Sequence, residues 1–203
     1  MSNSKPTSEI ADIERLPKAV WARSKADVRQ QRGMRQKRMF DHSGCCQTGR
    51  MIVRLAQEQD LSAFLRLASQ VEHWFGPMVN DAGFHEAVSR HIHRSAALVA
   101  HSGSDIVGGL LFGGNAPRYQ VHWLVVSERE RGNNIGTTLL AEATRRFVRL
   151  PGCIEVIAFG ADHPGAVASG ARVFYERHGF LPGEEAPVGP EGGSRQVYRL
   201  AIS

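Results

Sequence analysis

From Met51 onward the apolar residues recur with the periods of regular secondary structure. Residues 51–55 (MIVRL) read as a strand. Leu61, Phe64, Leu65, Ala68 and Val71 then fall on one face of a helix, with Asp60 placed as its N-cap. Gly76-Pro77 interrupts the pattern, and a second helix is predicted over about 84–93. Residues 97–100 and 106–112, joined by Ser102-Gly103-Ser104-Asp105, read as a hairpin by their turn residues. A strand over 119–126 leads to a helix with Ile135, Leu139, Ala143 and Phe147 on one face. A strand over 154–159 follows, then a helix marked by Val167, Ala171 and Phe174 that stops at Gly179. Residues 180–181 and 196–202 close the chain as two strands around a Gly/Pro-rich connection. The order β-α-α-β-β-β-α-β-α-β-β predicts an α/β domain with a mixed, mostly antiparallel sheet and helices on both faces.

The first 50 residues show little of this periodicity and differ in charge. They hold 11 of the 25 Lys and Arg and 5 of the 20 Asp and Glu, so the formal net charge of +5 divides into +6 before position 51 and −1 after it. All four lysines (Lys5, Lys18, Lys25 and Lys37) lie in that segment, and Arg29 to Arg38 form a basic run able to bind nucleic acid or anionic membrane by counterion release. Residues 1–50 read as a basic, solvated and disordered extension. A functional basic arm and a natural start at Met51 are the other two readings.

Residues 51–203 are the part whose function can be argued. Overall usage, 42% hydrophobic and 22% charged, suits a soluble globular chain with a real core. No window approaches the ~18 apolar residues of a membrane span, and no secretory signal opens the chain. Three cysteines, Cys45, Cys46 and Cys153, make neither a disulfide framework nor a zinc site, and suit a reducing cytoplasm. His85, His91 and His93 have no partnering cysteine or acid cluster and read as surface residues, so no metal is assigned.

The segment from Leu124 to Leu140 carries the chemistry: an apolar strand, a tight loop rich in glycine and asparagine, then an amphipathic helix. A helix start offers unpaired N–H groups and the positive end of the macrodipole, so such a junction can hold a phosphate. Gly132 and Gly136 keep Cβ atoms off the backbone and either can take a positive φ, as can Asn134. Arg131 adds a permanent charge at the rim. A tight turn with no ligand is the bland alternative. The nucleotide patterns G-x-x-x-x-G-K-[ST] and G-x-G-x-x-G are both absent, although Glu155 lies near the spacing of a ribose-binding acid.

Arg131-Gly132-Asn133-Asn134-Ile135-Gly136 resembles the acetyl-CoA diphosphate motif R/Q-x-x-G-x-G/A of the GNAT superfamily of N-acetyltransferases, with Asn134 in place of the first glycine. Leu124-Val125-Val126 resembles the strand before it. Ala171-Arg172-Val173-Phe174-Tyr175-Glu176-Arg177-His178-Gly179-Phe180 is similar to a second family signature, A-x-x-F-Y-E-x-x-G-F, with Ala168 where an asparagine is frequent. The element order over 51–203 also agrees with a GNAT-like fold.

This resemblance implies acetyl-CoA as co-substrate, lying where the strands over 119–126 and 154–159 splay apart. Its pantetheine arm would pair with the backbone of Leu124, Val125 and Val126. Its diphosphate would rest on the amides of Arg131, Gly132, Asn133, Asn134, Ile135, Gly136 and Thr137. The Val126 amide would hold the oxyanion, and Tyr175 would protonate the leaving thiolate. His122, in phase with Leu124 and Val126, is a candidate general base, with a packed strand histidine as the other reading. His163 reads as a loop cap more readily than as a base. Glu72 and His73, beside Trp74 and Phe75, are candidates to line the acceptor pocket, as are Asp81, Glu86, Glu184, Glu185 and Glu191. The expected activity is acetyl transfer to a primary amine of a small molecule or peptide, by direct attack in a ternary complex. The alternative is a non-catalytic acyl-CoA-binding module with a nucleic-acid-binding basic tail. A homodimer fits such folds, though no residue argues for it.

Overall fold

One sheet runs through the domain, in the strand order β1-β2-β3-β4-β5-β7-β6. Its strands are β1 (Ile52–Leu55), β2 (Ala97–Ser102), β3 (Asp105–Asn115), β4 (Arg118–Val126), β5 (Gly152–Phe159), β6 (Leu181–Ala186) and β7 (Arg195–Ile202). The computed structural model describes residues 51–189 and 192–203, so the basic extension over 1–50 and Glu191 lie outside the described residues. All neighbouring strands pair antiparallel except β4 with β5. The predicted mixed sheet is therefore the observed one.

Helices α1 (Leu61–Ser69), α2 (Glu72–Phe75) and α3 (Ala82–His93) precede the hairpin. Helix α4 (Ile135–Phe147) follows β4, and α5 (Pro164–Ser169) and α6 (Ala171–Arg177) follow β5. Phe64 and Leu67 of α1 and Phe84 and Val88 of α3 are buried on one side; Ile135, Leu139 and Ala143 of α4 are buried on the other. The apolar stripes read from the sequence are thus the faces laid on the sheet.

Three local details differ from the expectation. The single helix expected around 167–174 is two, because Gly170 takes φ 57° between them. The short α2 was not predicted. Asp60 stands at the N-cap position as expected, but its side chain does not cap α1: its backbone is helical, and its buried carboxylate accepts from the Gln57 amide (2.7 Å) and from Arg54 Nη1 and Nη2 (2.6 and 2.9 Å). A carboxylate withdrawn from water needs such partners, and the neighbouring strand supplies them. Gly179 does end α6 as expected, at φ 83°, with the Phe180 N–H donating back to Tyr175 O.

The feature that positions the site is a bulge in β4. Val121 pairs with Phe112 and Trp123 with Leu111, which leaves His122 as the extra residue. Below it, Tyr119 stacks on Phe112, which stacks on Phe147 of α4. Above it, Trp123 packs on Phe64 and Phe84, towards α1 and α3. Two odd-numbered positions so face opposite sides, a reversal that regular alternation forbids. The parallel β4–β5 ladder also stops at this level, its last pair being Val121 with Val156.

Candidate active site

Beyond Val121 the β5-facing edge of β4 has no strand beside it, because β5 goes on pairing only with β7. The Ser127 N–H donates to Val107 O on β3 at 2.7 Å. Backbone groups alternate along a strand, so those of Leu124 and Val126 turn to the opposite side, into the gap, while those of Val125 face β3. The side chains of all three are buried.

The chain leaves this open edge through a 3-10 turn (Glu128–Glu130) and a loop that enters α4. Gly132 (φ 84°) and Asn134 (φ 60°) are both left-handed. Asn134 thus adopts the conformation expected of it, one that asparagine accepts more readily than most residues. A Cβ at Gly132 would meet nothing within 4 Å, so its φ alone reserves it for glycine. Gly136 is different: it is helical, and a Cβ there would lie 3.2 Å from Phe174 Cε2.

Two of the seven amides expected to hold the diphosphate are bonded within the loop, both at 3.4 Å: Arg131 N–H to Glu128 O and Asn133 N–H to Glu130 O. Among the described residues the amides of Gly132, Asn134, Ile135, Gly136 and Thr137 meet no acceptor. They lie at the positive end of a 13-residue helix. Arg131 does not stand at the rim as expected. Its side chain is 7% exposed, with Nη1 3.7 Å from Glu128 Oε1 and the guanidinium 5.4 Å from the centre of the Trp74 ring. The quadrupole of the ring attracts the guanidinium and offsets part of the cost of taking it from water. Its charge still reinforces the local field, but it ties the loop to α2.

Helix α6 leans on this helix start. Phe174 covers Gly136, and His178 Nδ1–H donates to Phe174 O (2.7 Å), with Nε2 bonded to Thr137 Oγ1 (2.9 Å). Tyr175, next to Phe174, has no exposed surface and lies between the rings of Phe174 and Phe180. Its hydroxyl has no hydrogen-bond partner among the described residues. Burial pushes its pKa far above the ordinary phenol range, so it stays protonated.

The bulge decides where His122 points. The sequence puts it in phase with Leu124 and Val126, but the extra residue breaks that phase and turns His122 to the side of α3. There its Nδ1 lies 2.7 Å from His91 Nε2, with the rings perpendicular. Gly113 makes the room, since a Cβ at that position would overlap the His122 ring. His91, read from the sequence as a surface residue, is instead wedged between α3 and β4. His122 therefore lies on the α3 side of the sheet, opposite α4.

Most of the remaining candidates have structural partners, while Glu86 and Glu185 are exposed. Glu72 Oε1 accepts the amides of Met78 (2.6 Å) and Val79 (2.7 Å), closing the Gly76-Pro77 segment. His73 is exposed and stacks on Trp74. His163 accepts the Gly165 N–H at the start of α5 and donates to Gly192 O, the loop-cap arrangement. Its ring stacks on Phe159, and Phe159 on Phe75. Asp81 caps α3, His85 bonds Val79 O, and His93 pairs with Glu58. Glu155 and Glu184 both hold Arg199, so Glu155 is no ribose ligand. No group of three or more His, Cys, Asp or Glu able to hold a metal occurs among the described residues. His91 and His178 are the residues the sequence did not suggest; their signal lies only in contacts across 31 and 41 residues.

A parallel pair of strands that part at a bulge, running straight into an amide-lined helix start, defines a cleft for an extended ligand with an anionic end. Residues 93–182 match the family model described as an acetyltransferase (GNAT) domain. Solved structures share its fold across 75% of this chain. A GNAT-family protein from Desulfovibrio desulfuricans is 20% identical with a TM-score of 0.55, over 98% of its length. The PaiA N-acetyltransferase of Thermoplasma acidophilum, in complex with coenzyme A, is 18% identical with a TM-score of 0.57, over 99% of its length. The ribosomal-protein-S18-alanine N-acetyltransferase of Escherichia coli is 12% identical with a TM-score of 0.57, over 94% of its length. No curated protein matches the chain. Among the described residues no helix is long and apolar enough to cross a membrane.

Proposed function

We propose that the domain transfers the acetyl group of acetyl-CoA to a primary amine by direct attack in a ternary complex. The observation that carries this is the unpaired edge of β4 past Val121 leading into the five unbonded amides of the loop and α4. A diphosphate on those amides sends the pantetheine arm back along Leu124–Val126, where it pairs as an added strand. Gly132, Asn134, Ile135, Gly136 and Thr137 hold the anion; Arg131 and Asn133 fix the shape of the loop. The acyl end then lies upstream, near the bulge. Leu124, whose N–H also faces the gap, is better placed for the oxyanion than Val126, which sits at the diphosphate end.

The amine enters from the side of α1 to α3. Converting an ammonium to an amide releases two protons. His122 takes the first and passes it to solvent, freeing the nitrogen lone pair for attack on the thioester carbon. The second, lost from nitrogen as the tetrahedral intermediate collapses, balances the one that Tyr175 delivers to the departing thiolate. Burial keeps the phenol in the donor form and at the same time makes it a weaker acid. The structures that share the fold include a ribosomal-protein-S18-alanine N-acetyltransferase, and acids for a cationic acceptor lie on α3 and near β6.

The test is acetyl-CoA-dependent thiol release across a panel of amines, with binding followed by calorimetry. The expected result is micromolar-range binding and turnover on at least one amine. Binding without turnover on any amine leaves a coenzyme-binding module, and no binding overturns the reading altogether.

A further inference from the structure

We propose that His91 is a positioning residue that sets the tautomer of His122, so that the lone pair of His122 lies on Nε2. This rests on the reading of His122 as the general base and adds the part that makes it one.

The chain of bonds leaves little choice. His91 Nδ1 lies 2.7 Å from Ala87 O, one turn back on α3. A carbonyl oxygen only accepts, so Nδ1 carries the proton. Desolvation, aided by the charges of Arg90 and Arg94, holds His91 below the ordinary imidazole range, so the ring is neutral near pH 7. A neutral ring protonated on Nδ1 has its lone pair on Nε2. That atom lies 2.7 Å from His122 Nδ1, and His122 must therefore donate. His122 carries its proton on Nδ1, the reverse of the tautomer that a free histidine prefers, and presents Nε2 as the basic atom. When Nε2 takes the proton of the amine, the Nδ1–H of the new imidazolium still donates to a neutral acceptor, and no proton need pass to His91. This is the second-shell logic by which a hydrogen bond to one ring nitrogen fixes the chemistry of the other.

Three separate features converge on this arrangement. The bulge aims His122 at α3, Gly113 leaves space for the ring, and the last turn of α3 places His91 against it. None acts on Tyr175 or on the coenzyme loop, so the device belongs to the amine half of the reaction.

The experiment is nitrogen-15 NMR of the full chain labelled at histidine, near neutral pH. Both His91 and His122 are expected as Nδ1–H tautomers; His122 found as Nε2–H overturns the proposal without any variant being made. His91→Leu should return His122 to Nε2–H. Since general-base catalysis is worth ~10²–10⁴-fold, kcat should fall at least about tenfold with the KM for acetyl-CoA within about twofold. His91→Gln, whose amide oxygen can accept from His122, should keep the tautomer and most of the activity. A His91→Leu protein with unchanged tautomer and kcat overturns the proposal. His122→Gln separates this from the reading beneath it: undiminished turnover there removes His122 as the base, while the tautomer spectrum alone judges His91.

Discussion

Tyr175 combines the largest burial with the least satisfied polar atom among the catalytic candidates. A buried hydroxyl without a partner costs about 1–3 kcal/mol, and removing it can be neutral or stabilising. Tyr175→Phe should therefore leave thermal stability unchanged or raised, while turnover falls by roughly 10²-fold or more if the phenol is the acid. A melting curve and an initial-rate assay on the same protein check this, and a destabilised variant with full turnover would make the residue structural. The sign of the pH effect follows from the raised pKa. The stability contributed by the neutral phenol is present below the unfolded value of about 10 and is lost as pH rises past it, because only the unfolded chain ionises there. Tyr175→Phe should flatten the alkaline decline of the melting temperature without abolishing it, since burial also raises the pKa of Tyr198.

Between elements, two joints place the loops around the cleft. The first is α6 on the start of α4, where Phe174 sits against Gly136. Gly136→Ala drives a methyl group to about 3.2 Å of that ring, and weakened coenzyme binding with little change in turnover at saturation is the outcome expected from calorimetry and kinetics. The second is Glu72, which gathers two amides of the segment after α2. Glu72→Ala leaves the N–H of the buried Met78 without its acceptor. The expected cost is about 2 kcal/mol, read as a lower melting temperature, together with a raised KM for the amine. Glu72→Gln retains an acceptor oxygen and should lose much less.

For the whole molecule, a ligand that binds the parted strands of the folded state alone stabilises it by mass action. Acetyl-CoA at about 100 times its Kd should add about 2.7 kcal/mol and raise the melting temperature by several degrees. Pantetheine and its acetyl thioester, fragments that lack the diphosphate, should add far less. Equal stabilisation by such fragments would show that the amides after β4 are not the anchor. The sheet order explains how the gap beside β4 can open. Inserting β7 between β5 and β6 keeps β5 paired on its far side while it parts from β4, so the gap opens without leaving β5 as an edge.

The sequence alone determined the mixed, mostly antiparallel sheet with its covering helices, the hairpin, the glycine stop at Gly179, the left-handed Asn134 and the loop before α4. These depend on periodicity and turn chemistry, which act between residues a few positions apart. Tertiary structure decided the rest. A bulge is a mismatch between two strands, so no single strand shows it; the phase of His122 was misread for that reason. The pairing of His91 with His122, the folding of Arg131 onto Trp74 and the capture of Asp60 by Arg54 all come from charge and hydrogen-bonding groups that must find partners once withdrawn from water. Which partner lies within reach is settled only when the sheet and its covering helices have closed.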